Sequence, residues 1–175
     1  TEYDVQVTKG FTTLHSSTVA SEQESRDFRQ QPTDLRNITG MVFSGFAKCL
    51  YLQQKFDSDA ERRFAVICEN DPAALKWFKP GKNQLQIYYR SDKSYEPDFV
   101  VETETEIFLA ETKAANELGD PVVLEKAKAA IQWCSHASTH ALENGGKSWR
   151  YLLIPHDSVQ ENQTLQGLAA RFTRG

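Results

Sequence analysis

Three observations in the sequence predict an α/β fold with a central mixed sheet flanked by helices. Residues 95–102 and 106–113 carry apolar side chains on both strand faces, as Phe99-Val100-Val101 and Ile107-Phe108-Leu109-Ala110 show, and strands of that kind belong inside a sheet covered on both sides. The intervening Thr103-Glu104-Thr105 is short enough to fold them into a hairpin. A long helical pattern after Gly119-Asp120-Pro121 then leads to the apolar run Tyr151-Leu152-Leu153-Ile154, a crossover long enough for parallel pairing. One hairpin and one crossover make a mixed sheet. At 175 residues the chain is one domain's worth, able to bury roughly 70% of the surface of its unfolded state.

In chain order, residues 1–31 mix Thr, Ser, Gln and charges with β-formers such as Tyr3, Val5, Val7, Phe11 and Leu14, and read as short strands or an N-terminal arm, the remnant of a link. The domain proper is expected over 32–175. Pro32-Thr33-Asp34 looks like a helix start, and Ile38, Val42, Phe46 and Leu50 follow at helical spacing, predicting a helix to about Gln54 that Gly40 and Gly45 weaken. Ser58 or Asp59 opens a second helix that carries Phe64, Ile67 and Cys68 and stops near Asn70-Asp71-Pro72. Residues 85–90 read as the first core strand, Ser91-Asp92-Lys93-Ser94 as a turn, then come the two hairpin strands. The helix from Pro121 runs to Gly145-Gly146 with a core stripe of Val123, Ala127, Ala130, Ile131, Cys134, Ala137 and Ala141, small residues suited to lying close against a sheet.

Bulk properties bound the function. No stretch approaches the ~20 apolar residues of a membrane span, and the first thirty residues lack a signal peptide's basic start and apolar run. Cys49, Cys68 and Cys134 are odd in number and far apart, which suits packed thiols in a reducing cytoplasm. The net charge of −4 argues against a surface that grips DNA everywhere. Its distribution is uneven. Glu96, Asp98, Glu102, Glu104, Glu106 and Glu111 crowd one segment, whereas Lys76, Lys79, Lys82, Arg90 and Lys93 form a preceding basic margin suited to sequence-blind phosphate contacts.

The chemistry-bearing residues lie in the hairpin. Alternation puts Glu111 and Lys113 on one face of their strand, opposite Phe108, Ala110 and Thr112, and the hairpin can bring Asp98 across from Glu111. Carboxylate oxygens so grouped suit Mg²⁺ or Mn²⁺, which take one or two carboxylates and complete their shell with water and phosphate. Lys113 can orient an attacking water or offset charge on a phosphate. These parts fit phosphodiester hydrolysis.

The pattern Pro97-Asp98, then Glu111-Thr112-Lys113, resembles the PD-(D/E)xK nuclease signature. With 56–65, with Leu75-Lys76-Trp77-Phe78-Lys79-Pro80 and with Trp149-Arg150-Tyr151-Leu152-Leu153-Ile154-Pro155-His156-Asp157, it is similar to the C-terminal endonuclease domain of type III restriction enzymes over roughly residues 56 to 172. The resemblance implies a restriction-endonuclease-like fold and Mg²⁺-dependent cleavage of DNA. It implies metal ligation by Asp98 and Glu111 with an oxygen from Thr112, a catalytic Lys113, and Glu61 assisting at the metal or its water. It also implies a helicase motor on the same polypeptide, with ATP used only there, and a separate modification (methyltransferase) subunit as partner. The chain opens on Thr1 with its only methionine at Met41, which reads as an excised fragment, and it contains no phosphate loop of the G-x-x-x-x-G-K type. An acid in a first helical turn is also ordinary, because it complements the macrodipole, so Glu61 has two readings. On the long helix, Gln132 or Lys126 is the candidate polar helper, with Lys128 and His136 on the same outward side. His136 and His140 lack the Glu and third ligand of a zinc site. The alternative to an enzyme is a catalytically silent module of the same fold that docks the motor or the modification subunit.

Overall fold

The computed structural model describes Gly10 and residues 24–175. Its strands are β1 (Ser25–Asp27), β2 (Val42–Ser44), β3 (Ala74–Phe78), β4 (Ile87–Arg90), β5 (Lys93–Tyr95), β6 (Phe99–Thr103), β7 (Glu106–Lys113), β8 (Ser148–Pro155) and β9 (Thr173–Arg174); its helices are α1 (Asp59–Asn70), α2 (Pro121–Glu143) and α3 (Leu165–Phe172). Five strands form the central sheet in the order β3-β6-β7-β8-β9. The β7–β8 pair is parallel and the other three pairs are antiparallel, so the sheet is mixed, as expected.

Both faces of the sheet are covered. Phe99, Val101, Phe108, Ala110, Leu152 and Ile154 point into one core with Phe64 and Ala65 of α1 and Leu165 and Leu168 of α3. Val100, Leu109, Tyr151 and Leu153 point into the other, against Ala127, Ala130 and Cys134 of α2. Removing that much apolar surface from water is the main stabilising term.

The helix ends follow the signals in the sequence. Ser58 Oγ accepts the Glu61 N–H at 3.2 Å, and Asp120 Oδ1 accepts the N–H groups of Val122 and Val123 at 2.8 and 3.4 Å behind Pro121. Past the end of α2, Gly145 takes φ +72°, where a side chain would be strained.

Three expectations are corrected. The helix expected over 34–54 is a 3-10 turn at Leu35–Gly40 followed by β2, which pairs parallel to β1, and then a loop bridged to Gln54 and Trp77. Gly45 at φ +95° is incompatible with a continuing helix, and Phe43 is better buried from a strand, where it is fully enclosed, while Leu50 of the supposed stripe is 48% exposed. Residues 85–90 do not supply the first core strand. That place belongs to β3, whose Trp77 is buried, while β4 pairs with β5 in a separate two-stranded sheet beside α2. The strand expected over 95–102 is split at Glu96-Pro97-Asp98, where proline cannot donate to a ladder.

Residues 24–31, grouped with the arm, include β1 and the fully buried Phe28, so the packed body begins before Pro32. The β-formers Tyr3, Val5, Val7, Phe11 and Leu14 lie outside the described residues. Among the described residues no helix is long and apolar enough to cross a membrane. Cys68 and Cys134 are buried and Cys49 is half-buried, all three as free thiols.

Candidate active site

The register of the hairpin builds the site. Phe99 pairs with Ala110 and Glu102 with Ile107, so the same register carried to the strand ends sets Asp98 opposite Glu111 and Pro97 opposite Thr112. The Thr112 N–H donates to Asp98 Oδ2 at 2.9 Å, which ties the two strand ends together. In a strand the N–H and C=O of one residue point to the same side. The Thr112 carbonyl therefore faces Pro97, which has no N–H to give it. Proline at this place keeps a backbone oxygen out of the ladder beside two acids.

Glu111 is 4% exposed, on the α2 side of the sheet. Its Oε2 accepts the Tyr151 hydroxyl at 2.8 Å, and its Oε1 is buried with no hydrogen-bond partner among the described residues. Burial, and then the neighbouring Asp98, push its carboxyl up from 4.5 to about 7, against the opposing pull of Tyr151, Tyr95 and Lys113. Burial and the same carboxylate hold the Tyr95 and Tyr151 phenols far above their ordinary range, so both stay protonated and serve as donors. The Tyr95 hydroxyl also reaches the Lys126 carbonyl at 3.3 Å, and the Lys126 ammonium lies 5.4 and 5.3 Å from the ring centres of Tyr89 and Tyr95. Lys113 is half-buried, shares the Glu111 face as expected, and makes no ion pair among the described residues.

Glu61 approaches from α1. It is 3% exposed, and its Oε2 accepts the Asp57 N–H at 2.8 Å and the Lys79 ammonium at 2.8 Å. Burial raises its carboxyl to about 7, Lys79 opposes that shift, and Asp98 adds to it. Asp98 is thus felt by both glutamates. The first-turn placement of Glu61 is as expected, since it follows the Ser58 cap, and its carboxyl lies near enough to Asp98 to feel its charge.

Lys79 is the residue that reading the sequence missed. Its neighbours Lys76, Lys82, Arg90 and Lys93 suggest a basic margin open to phosphate, yet Lys79 is largely buried, and its Nζ donates to the Asp98 carbonyl at 3.2 Å and lies 4.6 Å from the Phe99 ring centre. The available signal was strand alternation, which places Lys79 on the same side as the buried Trp77. The margin is not one free basic surface either. Lys76 pairs with Glu102 at 3.4 Å and Arg90 with Glu125 at 2.7 Å, while Lys82 and Lys93 are exposed and make no ion pair among the described residues. Among the α2 candidates only Lys126 reaches the wall of the site, whereas Gln132, Lys128 and His136 are exposed.

The hard oxygens available at this end of the hairpin are those of Asp98, the unpartnered Glu111 Oε1 and the Thr112 main chain, donor types that fit Mg²⁺ or Mn²⁺. Among the described residues no three Asp, Glu, His or Cys side chains are grouped to hold a metal ion, and Glu61 is engaged by Lys79. The residues present therefore suit a two-carboxylate site completed by a carbonyl, water and substrate oxygens. No protein-family model matches the chain, and no curated protein matches it significantly.

Proposed function

We propose that this domain is a Mg²⁺-dependent endonuclease that hydrolyses DNA phosphodiester bonds, the nuclease part of a type III restriction enzyme working with a helicase motor and a modification subunit. The observation that carries the reading is the pairing of Asp98 with a buried Glu111 whose Oε1 has no protein partner. A buried carboxylate short of a donor is costly unless something outside the chain completes it. A bound Mg²⁺ would supply Lewis acidity and a more acidic water.

Each residue then has a role. Asp98 and Glu111 would hold the cation, Tyr151 donates to Glu111 Oε2 and fixes its rotamer, and the Thr112 carbonyl would offer a third protein oxygen. Lys113, on the Glu111 face and unpaired, meets the non-bridging phosphate oxygens and offsets the charge that grows as water oxygen bonds to phosphorus and the P–O bond to the departing sugar breaks. Sequence selection is left to the modification subunit.

The test combines binding and cleavage. Mn²⁺ titration calorimetry on the chain should show one saturable site that Asp98→Ala abolishes, and cleavage by the motor-linked enzyme should fall by ~10²-fold in Lys113→Ala with Mn²⁺ binding retained. Near-normal cutting by Lys113→Ala would remove it from the mechanism.

A further inference from the structure

A lysine ammonium taken out of water needs compensation, and Lys79 obtains it within the acidic cluster. Its side chain is 11% exposed. One contact goes to Glu61 Oε2 at 2.8 Å and another to the main-chain oxygen of Asp98 at 3.2 Å, with the Phe99 ring centre at 4.6 Å. The same ammonium therefore touches one acid through its side chain and a second through its backbone. Glu61 is further anchored by the Asp57 N–H. Asp98 and Glu111 have no cation within ion-pair distance among the described residues, whereas Glu61 holds one at 2.8 Å.

We propose that Lys79 is a resident counter-ion and positioning residue of the site: it draws Glu61 away from the Asp98–Glu111 pair and fixes the main chain that presents Asp98. Glu61 then serves beside the cation rather than as its direct ligand. This rests on the reading of Asp98 and Glu111 as a cation site. A packing strut and a counter-ion differ in one respect. The ammonium repels a divalent cation nearby, so removing it strengthens binding electrostatically even as it weakens the fold, whereas losing a strut weakens both.

The experiment measures Mn²⁺ affinity by titration calorimetry on the full chain, with the resonance spectrum of bound Mn²⁺ reporting its ligand shell. Lys79→Met should melt at a lower temperature without metal yet bind Mn²⁺ about three- to tenfold more tightly, with an altered spectrum as the released Glu61 joins the shell. Lys79→Arg, which keeps the charge, should restore wild-type affinity. Should Lys79→Met not fold, the pair Glu61→Gln and Glu61→Gln/Lys79→Met carries the same test. The single variant leaves the ammonium unopposed and should weaken Mn²⁺ binding about tenfold, and the double variant should recover most of that loss. Wild-type chain that binds no Mn²⁺ overturns both readings. Wild-type binding with an affinity that Lys79→Met leaves unchanged or weakens, or a double variant no better than Glu61→Gln, overturns the Lys79 inference alone.

Discussion

Glu69 and Glu111 are both buried glutamates on core elements, and they are treated in opposite ways. Glu69, near the end of α1, uses both oxygens: Oε2 accepts the Ala47 N–H at 2.8 Å, while Oε1 accepts the Lys48 N–H at 2.9 Å and the Trp77 indole N–H at 2.8 Å. It pins the loop after β2 across the outer side of β3, where the Trp77 N–H donates to the Lys48 carbonyl and the Leu50 N–H to the Trp77 carbonyl. Glu111 has one phenol on Oε2 and nothing on Oε1. Burial alone therefore does not mark a functional acid. What marks it is a carboxylate the fold encloses without satisfying, beside a second acid that raises its cost.

Removing the two side chains should separate them most clearly. Glu69→Ala strands two backbone N–H groups and an indole N–H, so it should destabilise the protein by about 3 kcal/mol or more. Glu111→Ala relieves a buried, repelled carboxylate and should be neutral or stabilising without metal at pH 7.5. Urea midpoints of the two variants decide the matter, and equal losses would erase the distinction between them.

Metal supplies the next largest contrast. At about 100 times its dissociation constant, Mn²⁺ should stabilise the wild type by ~2.7 kcal/mol, because a ligand bound only to the folded state acts by mass action. Asp98→Ala and Glu111→Ala should each lose the corresponding rise in melting temperature. A rise that survives both substitutions would place the ion elsewhere.

The pH dependence of the metal-free protein follows from the same shortage of donors. The carboxyls of Glu111 and Glu61 lie at about 7 in the fold against 4.5 ordinarily. Between those values the folded state holds more protons than the unfolded chain, so stability falls as pH rises. The contribution is fully present below about 4.5 and is lost as pH passes through about 7. Lys79 and the Asp57 N–H face Glu61, Tyr95, Tyr151 and Lys113 face Glu111, and Asp98 acts on both. With that coupling, the loss between pH 5 and 8 should be on the order of 2 kcal/mol. Saturating Mn²⁺ should flatten the curve, and a flat curve without metal would contradict the raised carboxyls.

The sequence made the hairpin legible because period-two alternation fixes which residues share a face and a short turn keeps the two strands paired. That placed Glu111 with Lys113 and Asp98 across from Glu111. It made α1 and α2 legible through Ser58, Asp120 and Pro121, whose side chains or rings act locally. The segment 34–54 defeated the same logic, since Ile38 and Val42 are buried at helical spacing for tertiary reasons while Gly45 and Phe43 obey a different geometry. Lys79 was lost because a lysine's ordinary place is solvent, and only the contact between β3 and the Asp98 end of β6 brings it inward. Tyr151 reads as one apolar residue of a strand. Its role depends on a parallel register, with Leu109 opposite Tyr151 and Glu111 opposite Leu153, that no local pattern specifies.

Tyr151 supplies the smallest and sharpest test of the contrast between the two glutamates. Its hydroxyl donates to Glu111 Oε2 at 2.8 Å, and its ring packs in the core beneath α2. Tyr151→Phe keeps the ring and removes the donor. The cost in stability should be about 1 kcal/mol at pH 8, where Glu111 is ionised and needs the bond, and should shrink below pH 5, where its carboxyl is protonated. The carboxylate also loses the group that aims Oε1 away from Tyr151, so Mn²⁺ binding should weaken about tenfold, the scale for deleting a group that orients a metal ligand. Trp77→Phe, which removes one of the three donors to Glu69, should cost stability without that pH dependence and without moving Mn²⁺ affinity. Measuring both variants by urea denaturation at pH 5 and 8 and by Mn²⁺ calorimetry separates an acid held for structure from one held for a cation: a Tyr151→Phe chain that binds Mn²⁺ as the wild type does would mean that the bond to Oε2 packs the core and does not orient a ligand.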